Sequence, residues 1–235
     1  MTDSPPAPSL VTPPTLRLAV FDLDGTLKAA RSPYGFVHRA LGVEERAAQV
    51  FDRYQRGELS YLQWGQEEVR LWRNLPVRQL QAILRAIPYR PGALDFVRRL
   101  KAAGVTVALV SAGFDLHVTR CAAELGADIA LFNRLGVAGD QLTGEFFGGV
   151  DGRNKGILAR ELRIRFGASR AETLAAGDTP ADTQMFTEAA VSIAVDPSDL
   201  RVAEAADLLL PDGDWSRAEA MIEELQPGWL PNITR

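Results

Sequence analysis

Residues 16 to 22, LRLAVFD, form a short and mostly apolar run that closes on an acid. A run of that length predicts a strand buried on both faces. From 33 to 88 the spacing changes. The stretches YGFVHRALG, EERAAQVFDRYQRG, SYLQWGQEEVRLWRNL and PVRQLQAILRAI carry apolar residues three and four apart, with Gly42, Gly57, Pro76 and Pro88 as punctuation. That pattern predicts a helical insert with its own core, to which Trp64 and Trp72 contribute from one helix face. From Pro91 helix and strand alternate. PGALDFVRRLKAAG is a helix opened by proline and closed by glycine, VTVALVS (105–111) a buried strand, and FDLHVTRCAAELG a helix. DIALFN is a short apolar run, and Gly139-Asp140 in RLGVAGDQLTGEFF predicts a hairpin. NKGILARELRIRFG and PADTQMFTEA read as helices; TLAAGD (173–178), VSIAV (191–195) and DLLL (207–210) read as strands.

Strands alternating with helices imply βαβ crossovers and a parallel sheet covered on both faces. The predicted class is α/β: a Rossmann-like three-layer core with a parallel sheet, and a small helical cap inserted after the first strand. The boundaries expected are a disordered proline-rich tail at 1–15, the core at 16–27 and 91–235, and the cap at 28–90.

Composition narrows the function. The chain has 235 residues with 46% hydrophobic and 24% charged positions and a net charge of −4, without a polybasic block. Nucleic acid and anionic membrane are not expected as partners. No apolar run reaches the ~18 residues that cross a bilayer, and MTDSPPAPSLVTPPT has neither a basic segment nor an apolar one at its head, so no signal peptide is expected. A cytoplasmic monomer or homodimer is the expectation. Cys121 is the one cysteine, read as a buried small hydrophobe. His38 and His117 read as structural, being lone histidines in helical patterns without metal-ligand spacing.

The ends of the predicted strands carry the chemistry. Strand one runs into Asp22 and Asp24, strand two into Ser111, Ala112 and Gly113, and TLAAG into Asp178, with Asp182 one helical turn on. Lys155 opens the helix before that last strand. Ligands in open α/β sheets bind at the carboxyl ends of the strands. Several acids gathered there repel one another unless a cation lies between them. Hard oxygen donors with open positions describe a Mg²⁺ site completed by water and a substrate phosphate. Asp22 and Asp24 are alternate residues of an extended strand end, so both carboxylates can face one group, and Gly25 lets the chain turn away.

DLDGT, VSAGF, NK and GDTPAD, in that order, resemble the four motifs of the haloacid dehalogenase superfamily, specifically its phosphatases. PGALDFVRRLKAAGVTVALVSAGF and NRLGVAGDQLTGEFFGGVDGRNKGILARE are similar to the phosphoserine phosphatase branch. The resemblance implies a Mg²⁺-dependent phosphomonoester hydrolase acting on a small phosphorylated metabolite through an aspartyl-phosphate. Asp22 would be the nucleophile and Asp24 the general acid and base, with Lys155 offsetting charge. Phosphate would be bound by Thr26, Ser111, Ala112, Gly113 and Lys155. Metal would be held by Asp22, the main-chain oxygen of Asp24 and Asp178, with Asp182 binding through water or holding Lys155. A dehalogenase has no use for Asp24. A phosphomutase or phosphotransferase of the same fold stays open, as does a non-catalytic phosphate- or protein-binding module, although no motif is eroded. Where the phosphoserine phosphatases place a cap glutamate, this chain has Arg31, which suits a carboxylate or second phosphate. Glu44, Glu45 or Glu58 could serve instead, and Tyr34, Arg53, Trp64 and Arg73 are further candidates for substrate contact.

Overall fold

The computed structural model describes residues 14–232. Most of the tail expected at 1–15 therefore lies outside the described residues. Leu18–Phe21 (β1) is the central strand, followed by four helices, Pro33–Leu41 (α1), Glu44–Gln55 (α2), Tyr61–Arg70 (α3) and Val77–Arg85 (α4). The chain then runs through Ala93–Ala102 (α5), Thr106–Phe114 (β2), Asp115–Leu125 (α6), Ile129–Ala138 (β3), Gln141–Phe147 (β4) and Lys155–Arg165 (α7). Thr173–Gly177 (β5), Thr183–Phe186 (α8), Val191–Val195 (β6), Leu200–Ala205 (α9), Leu208–Leu210 (β7) and Ala218–Leu225 (α10) complete it. Among the described residues no helix is long and apolar enough to cross a membrane.

The seven-stranded sheet has the order β4-β3-β2-β1-β5-β6-β7. Every pairing is parallel except the β3–β4 hairpin, which turns at Gly139-Asp140 as its sequence predicts. β1 lies between β2 and β5, with Leu18 opposite both Thr106 and Thr173. After building outward through β2 and β3, the chain returns to the other side of β1. The crevice where the order reverses lies at the carboxyl ends of β1, β2 and β5.

Alternation along β1 feeds two cores. Ala19 and Phe21 pack with Phe96 and Val97 of α5, Val118 and Cys121 of α6, Trp215 and Ile222. Leu18 and Val20 pack on the other face with Ala159 and Leu162 of α7 and Met185 and Phe186 around α8. That is the three-layer arrangement. The sheet is fully buried here, which explains why its strands read as unbroken apolar runs.

The helical insert does not keep its core to itself. Tyr34, Val37, Trp72, Leu80 and Leu84 pack with Phe114 at the end of β2 and with Leu135, Leu142 and Phe146 of the hairpin. Gly65 of α3 lies so close to β4 that a Cβ there would come within 2.4 Å of the Phe146 ring. Backbone bonds tie the two together, from Asn74 N to Leu142 O (2.9 Å), Leu142 N to Leu75 O (3.0 Å) and Val77 N to Asp140 O (2.7 Å). Trp72 lies beyond the end of α3, so the shared helix face expected for Trp64 and Trp72 is replaced by a turn that leads Trp72 into the same cluster.

Inside the insert, His38 Nε2 of α1 lies 3.2 Å from Glu68 Oε2 of α3, both side chains buried. Burial raises Glu68 from 4.5 to about 7 and lowers His38 from 6.5 to about 4. Folded Glu68 binds protons more readily than unfolded, so its contribution to stability falls as pH rises from 4.5 to about 7. Folded His38 binds them less readily, so its contribution falls as pH drops from 6.5 to about 4. The slopes oppose each other over the shared interval. Wild-type urea midpoints should therefore stay nearly level between pH ~5 and ~6.5, whereas Glu68→Gln should lose on the order of 1 kcal/mol on going down that interval. Parallel pH profiles for the two proteins would contradict the opposing pair.

Candidate active site

β1 ends at Phe21, and the backbone N–H of Asp22 still bonds Ala176 O of β5 at 2.9 Å, which fixes where the first acid leaves the sheet. Gly25 then turns the chain at φ +94°. A Cβ on Gly25 would lie 2.2 Å from Asp178 Oδ2, so only glycine lets this loop pass the acid at the end of β5. The loop is held from outside by Arg90 Nε, which donates to Gly25 O at 2.6 Å, and by Trp215 Nε1, which donates to Thr26 O at 3.0 Å.

Lys155, the first residue of α7, is buried and reaches back to the acids. Its Nζ donates to Asp22 Oδ1 at 2.7 Å and to Asp182 Oδ1 at 2.6 Å. Burial opposes its charge, but Asp182 and Asp22 prevail and hold the ammonium well above its ordinary range. Thr26 Oγ1 lies 3.0 Å from Asp22 Oδ2 and 3.2 Å from Asp178 Oδ1, and its single proton serves one of them at a time. Asp182 Oδ2 accepts from the backbone N–H groups of Asp178 and Thr179 and from Thr179 Oγ1.

Burial first, then Asp182 and Asp24, raise Asp22 to about 7 against the pull of Lys155. Burial with Asp22 and Asp182 raises Asp178 to about 9. One lysine is too little positive charge for these acids. Asp178 Oδ2 is buried without a hydrogen-bond partner, and carboxylate oxygens of Asp22, Asp178 and Asp182 lie within 4.8 Å of one another. An orphaned oxygen in a set of hard oxygen donors fits a divalent cation.

Asp24 faces the same crevice from the other side. Its Oδ2 accepts from Ser111 Oγ at 3.2 Å, and its Oδ1 lies 2.9 Å from His117 Nε2. Burial works against a charged imidazole here, but Asp24 outweighs it and His117 rises to about 9. The structure thus gives His117, expected as a lone structural histidine, a buried acid partner in Asp24. Its helical spacing to Cys121 gave no sign of a partner 93 residues away in sequence.

Asp22, Asp24, Ser111, Ala112, Gly113, Lys155 and Asp178 line one cavity of about 170 Å³. Two phosphate contacts expected from the sequence are committed elsewhere in this structure. The hydroxyl of Thr26 faces the acids, and the N–H of Gly113 donates to Ser111 Oγ at 2.9 Å. The strand predicted to end at Ser111 runs further, because β2 continues to Phe114 and α6 begins at Asp115.

The far wall of the cavity comes from the insert, with Arg31, Ser32, Pro33, Tyr34, Tyr61 and Trp64. Arg31 bonds the main-chain oxygen of Asp196, pairs with its Oδ2 at 2.9 Å and brings Nε within 3.9 Å of Asp178 Oδ2. Arg53 is paired with Glu67 and Glu58 instead, and neither it nor Arg73, Glu44, Glu45 or Glu58 lines this cavity. Asp196 follows β6 as Asp22 follows β1 and Asp178 follows β5, and it pairs with both Arg31 and Arg90. The same strand-end rule would have found it. Asn133, at the end of the run DIALFN, gives Nδ2 to Ala112 O at 2.8 Å and to Tyr61 Oη at 2.9 Å, tying the Ser111 strand to the insert.

The profile of the haloacid dehalogenase-like hydrolases matches residues 19–187. The chain is 32% identical over 199 residues to the phosphoserine phosphatase of Methanocaldococcus jannaschii, covering 84% of this chain and 93% of that protein. It is 36% identical over 179 residues to the phosphoserine phosphatase of Archaeoglobus fulgidus, covering 76% of this chain and 52%, about half, of that longer protein. Among solved structures, a substrate-bound phosphoserine phosphatase superposes with a TM-score of 0.76 at 29% identity over 88% of this chain and 98% of that one. A phospho-aspartyl intermediate analogue of a phosphoserine phosphatase superposes at 0.75, with 29% identity over 88% of this chain and 99% of that one.

Proposed function

The chain belongs to the haloacid dehalogenase-like hydrolases and is a phosphatase of phosphoserine phosphatase-like sequence and fold; from that premise we propose that it hydrolyses a small phosphomonoester, with Mg²⁺, through an aspartyl-phosphate on Asp22. The observation that carries this is the placement of Asp22. Its carboxylate opens on the cavity, clamped by Lys155 at 2.7 Å, with Asp24 two residues on and held separately.

In the first step an Asp22 oxygen attacks phosphorus, and the bond to the leaving oxygen breaks as Asp24 gives that oxygen a proton. In the second, water attacks the phosphorus of the aspartyl-phosphate and gives a proton to Asp24; the Asp22 oxygen leaves and the enzyme is restored. Ser111 Oγ, at the floor of the cavity, is placed to turn its proton from Asp24 to a phosphate oxygen. Lys155 balances charge on Asp22 and on the transferring group. Mg²⁺, held by Asp22, Asp178 and the main-chain oxygen of Asp24, would supply positive charge beside the phosphoryl oxygens. Asp182 holds Lys155 and the turn after β5.

The helical insert together with the hairpin acts in this reading as the cap. It closes the cavity with the aromatic wall of Tyr34, Tyr61 and Trp64 and brings Arg31 to the rim. A cavity of about 170 Å³ suits a small metabolite, and the guanidinium favours a leaving group with a carboxylate or second phosphate.

The test is steady-state hydrolysis of p-nitrophenyl phosphate, phosphoserine and a set of sugar and carboxylate phosphates, with Mg²⁺ and with EDTA. Mg²⁺-dependent turnover is expected, together with a rise in melting temperature; a ligand at a hundred times its Kd stabilises by about 2.7 kcal/mol. Asp178→Asn should melt near wild type in EDTA, lose the Mg²⁺-induced rise and lose the Mg²⁺-stimulated rate. Turnover equal in EDTA, or an undiminished Mg²⁺ response in the variant, would overturn the assignment.

A further inference from the structure

His117 occupies the first turn of α6, fully buried, and no step described so far uses it. Its Nε2 is 2.9 Å from Asp24 Oδ1. Oδ1 is an acceptor whether or not Oδ2 carries a proton, so Nε2 carries the proton of that bond. The ring is held from behind. Nδ1 lies 4.0 Å from Cys121 Sγ one turn along, and the Phe114 ring packs against the imidazole with centroids 6.5 Å apart. The other carboxylate oxygen, Oδ2, meets a hydroxyl that can rotate away, Ser111 Oγ at 3.2 Å. A Cβ on Gly113 would come within 2.8 Å of that oxygen, so glycine at the strand end is what leaves Oδ2 its space beside Ser111.

We propose that His117 is a positioning residue: it pins Asp24 by Oδ1 and thereby presents Oδ2 as the oxygen that exchanges protons with the leaving group and with water. The inference rests on the role of Asp24 given above. With Oδ1 held, the proton on Oδ2 passes to the leaving oxygen as the P–O bond breaks and Asp22–O–P forms. A water proton returns to Oδ2 as water bonds to phosphorus and Asp22 departs. Without the pin the carboxylate turns about its Cβ–Cγ bond, and proton transfer loses its alignment.

Leaving groups separate this role from a structural one. p-Nitrophenolate departs without an acid, whereas phenolate needs one. The value of kcat/KM reports the steps through phosphoryl transfer. In His117→Ala, kcat/KM for phenyl phosphate should fall about tenfold or more, while kcat/KM for p-nitrophenyl phosphate stays within about twofold. His117→Gln, whose amide can donate from a similar reach, should bring phenyl phosphate back to within about threefold of wild type. Cys121→Ala, which leaves the Nε2 bond in place, should behave as wild type on both esters. Equal losses on the two esters, or no rescue by Gln in a variant that melts like wild type, would overturn the inference. Wild type active on p-nitrophenyl phosphate but inert to Asp24→Asn would overturn it too, by removing the role it serves. A wild type inactive on every ester would instead sink the functional reading itself.

Discussion

Asp22→Asn should abolish turnover, lowering kcat/KM by at least about four orders of magnitude, or roughly 5.5 kcal/mol of transition-state stabilisation. The substitution keeps shape and volume. The Asn oxygen can still accept from Lys155, which also keeps Asp182. The backbone bond from residue 22 to Ala176 O at 2.9 Å is untouched, so β1 and the loop at Gly25 stay in place. What disappears is the nucleophile, and a carboxamide does not replace it. Asp24 cannot step in, because His117 and Ser111 hold its oxygens on the opposite side of the cavity. The loss is therefore in chemistry rather than folding. Melting within about 2 °C of wild type, with turnover at the detection limit, is the expected pair of readings. Residual turnover of a tenth or more would mean that another group attacks phosphorus.

Lys155→Met should damage both activity and fold. The ammonium bridges Asp22 and Asp182 at 2.7 and 2.6 Å, and all three side chains are buried. Methionine fills the space of the stem but leaves two carboxylates facing each other without a counter-charge. Removing one partner from a buried ion pair typically costs about 3–5 kcal/mol, because the remaining charge is stranded. Asp182 keeps its backbone and Thr179 partners, which limits the loss on that side. For a domain of this size the melting temperature measured in EDTA should drop by roughly 10 °C. Mg²⁺ should recover part of that stability by bringing charge back to the acids, but not the rate. A variant as stable as wild type in EDTA would show that the buried bridge contributes little.

Much of the core was legible because buried parallel strands leave a plain trace. VSIAV coincides with β6, and Gly139-Asp140 marks the hairpin turn. The acids were legible because each follows such a run. The sequence predicts β2 too short, since Ser111-Ala112-Gly113 looks like a turn; the bonds from Asn133 to Ala112 O and from Gly113 N to Ser111 Oγ accompany an extended segment that runs to Phe114. PADTQMFTEA has the pattern of one helix, but it divides into a 3₁₀ turn at Pro180–Asp182 and the short α8, because Asp182 turns back to cap its own strand end. The apolar spacing of the insert predicts a core of its own, and nothing local in its helices announces Leu135, Leu142 or Phe146 as partners. His117 stayed hidden for the same reason. Its neighbours in sequence describe a helix face, while its function depends on Asp24 at the end of another strand.

The central claim is that Asp22 is phosphorylated during turnover. The direct measurement is mass spectrometry of peptides from enzyme quenched in acid within a single turnover of p-nitrophenyl phosphate. One phosphoryl group on the peptide containing Asp22, removed by hydroxylamine and absent from Asp22→Asn, is the predicted result. Rapid turnover with no phosphorylated peptide at any quench time, or a phosphoryl group on another residue, would contradict it.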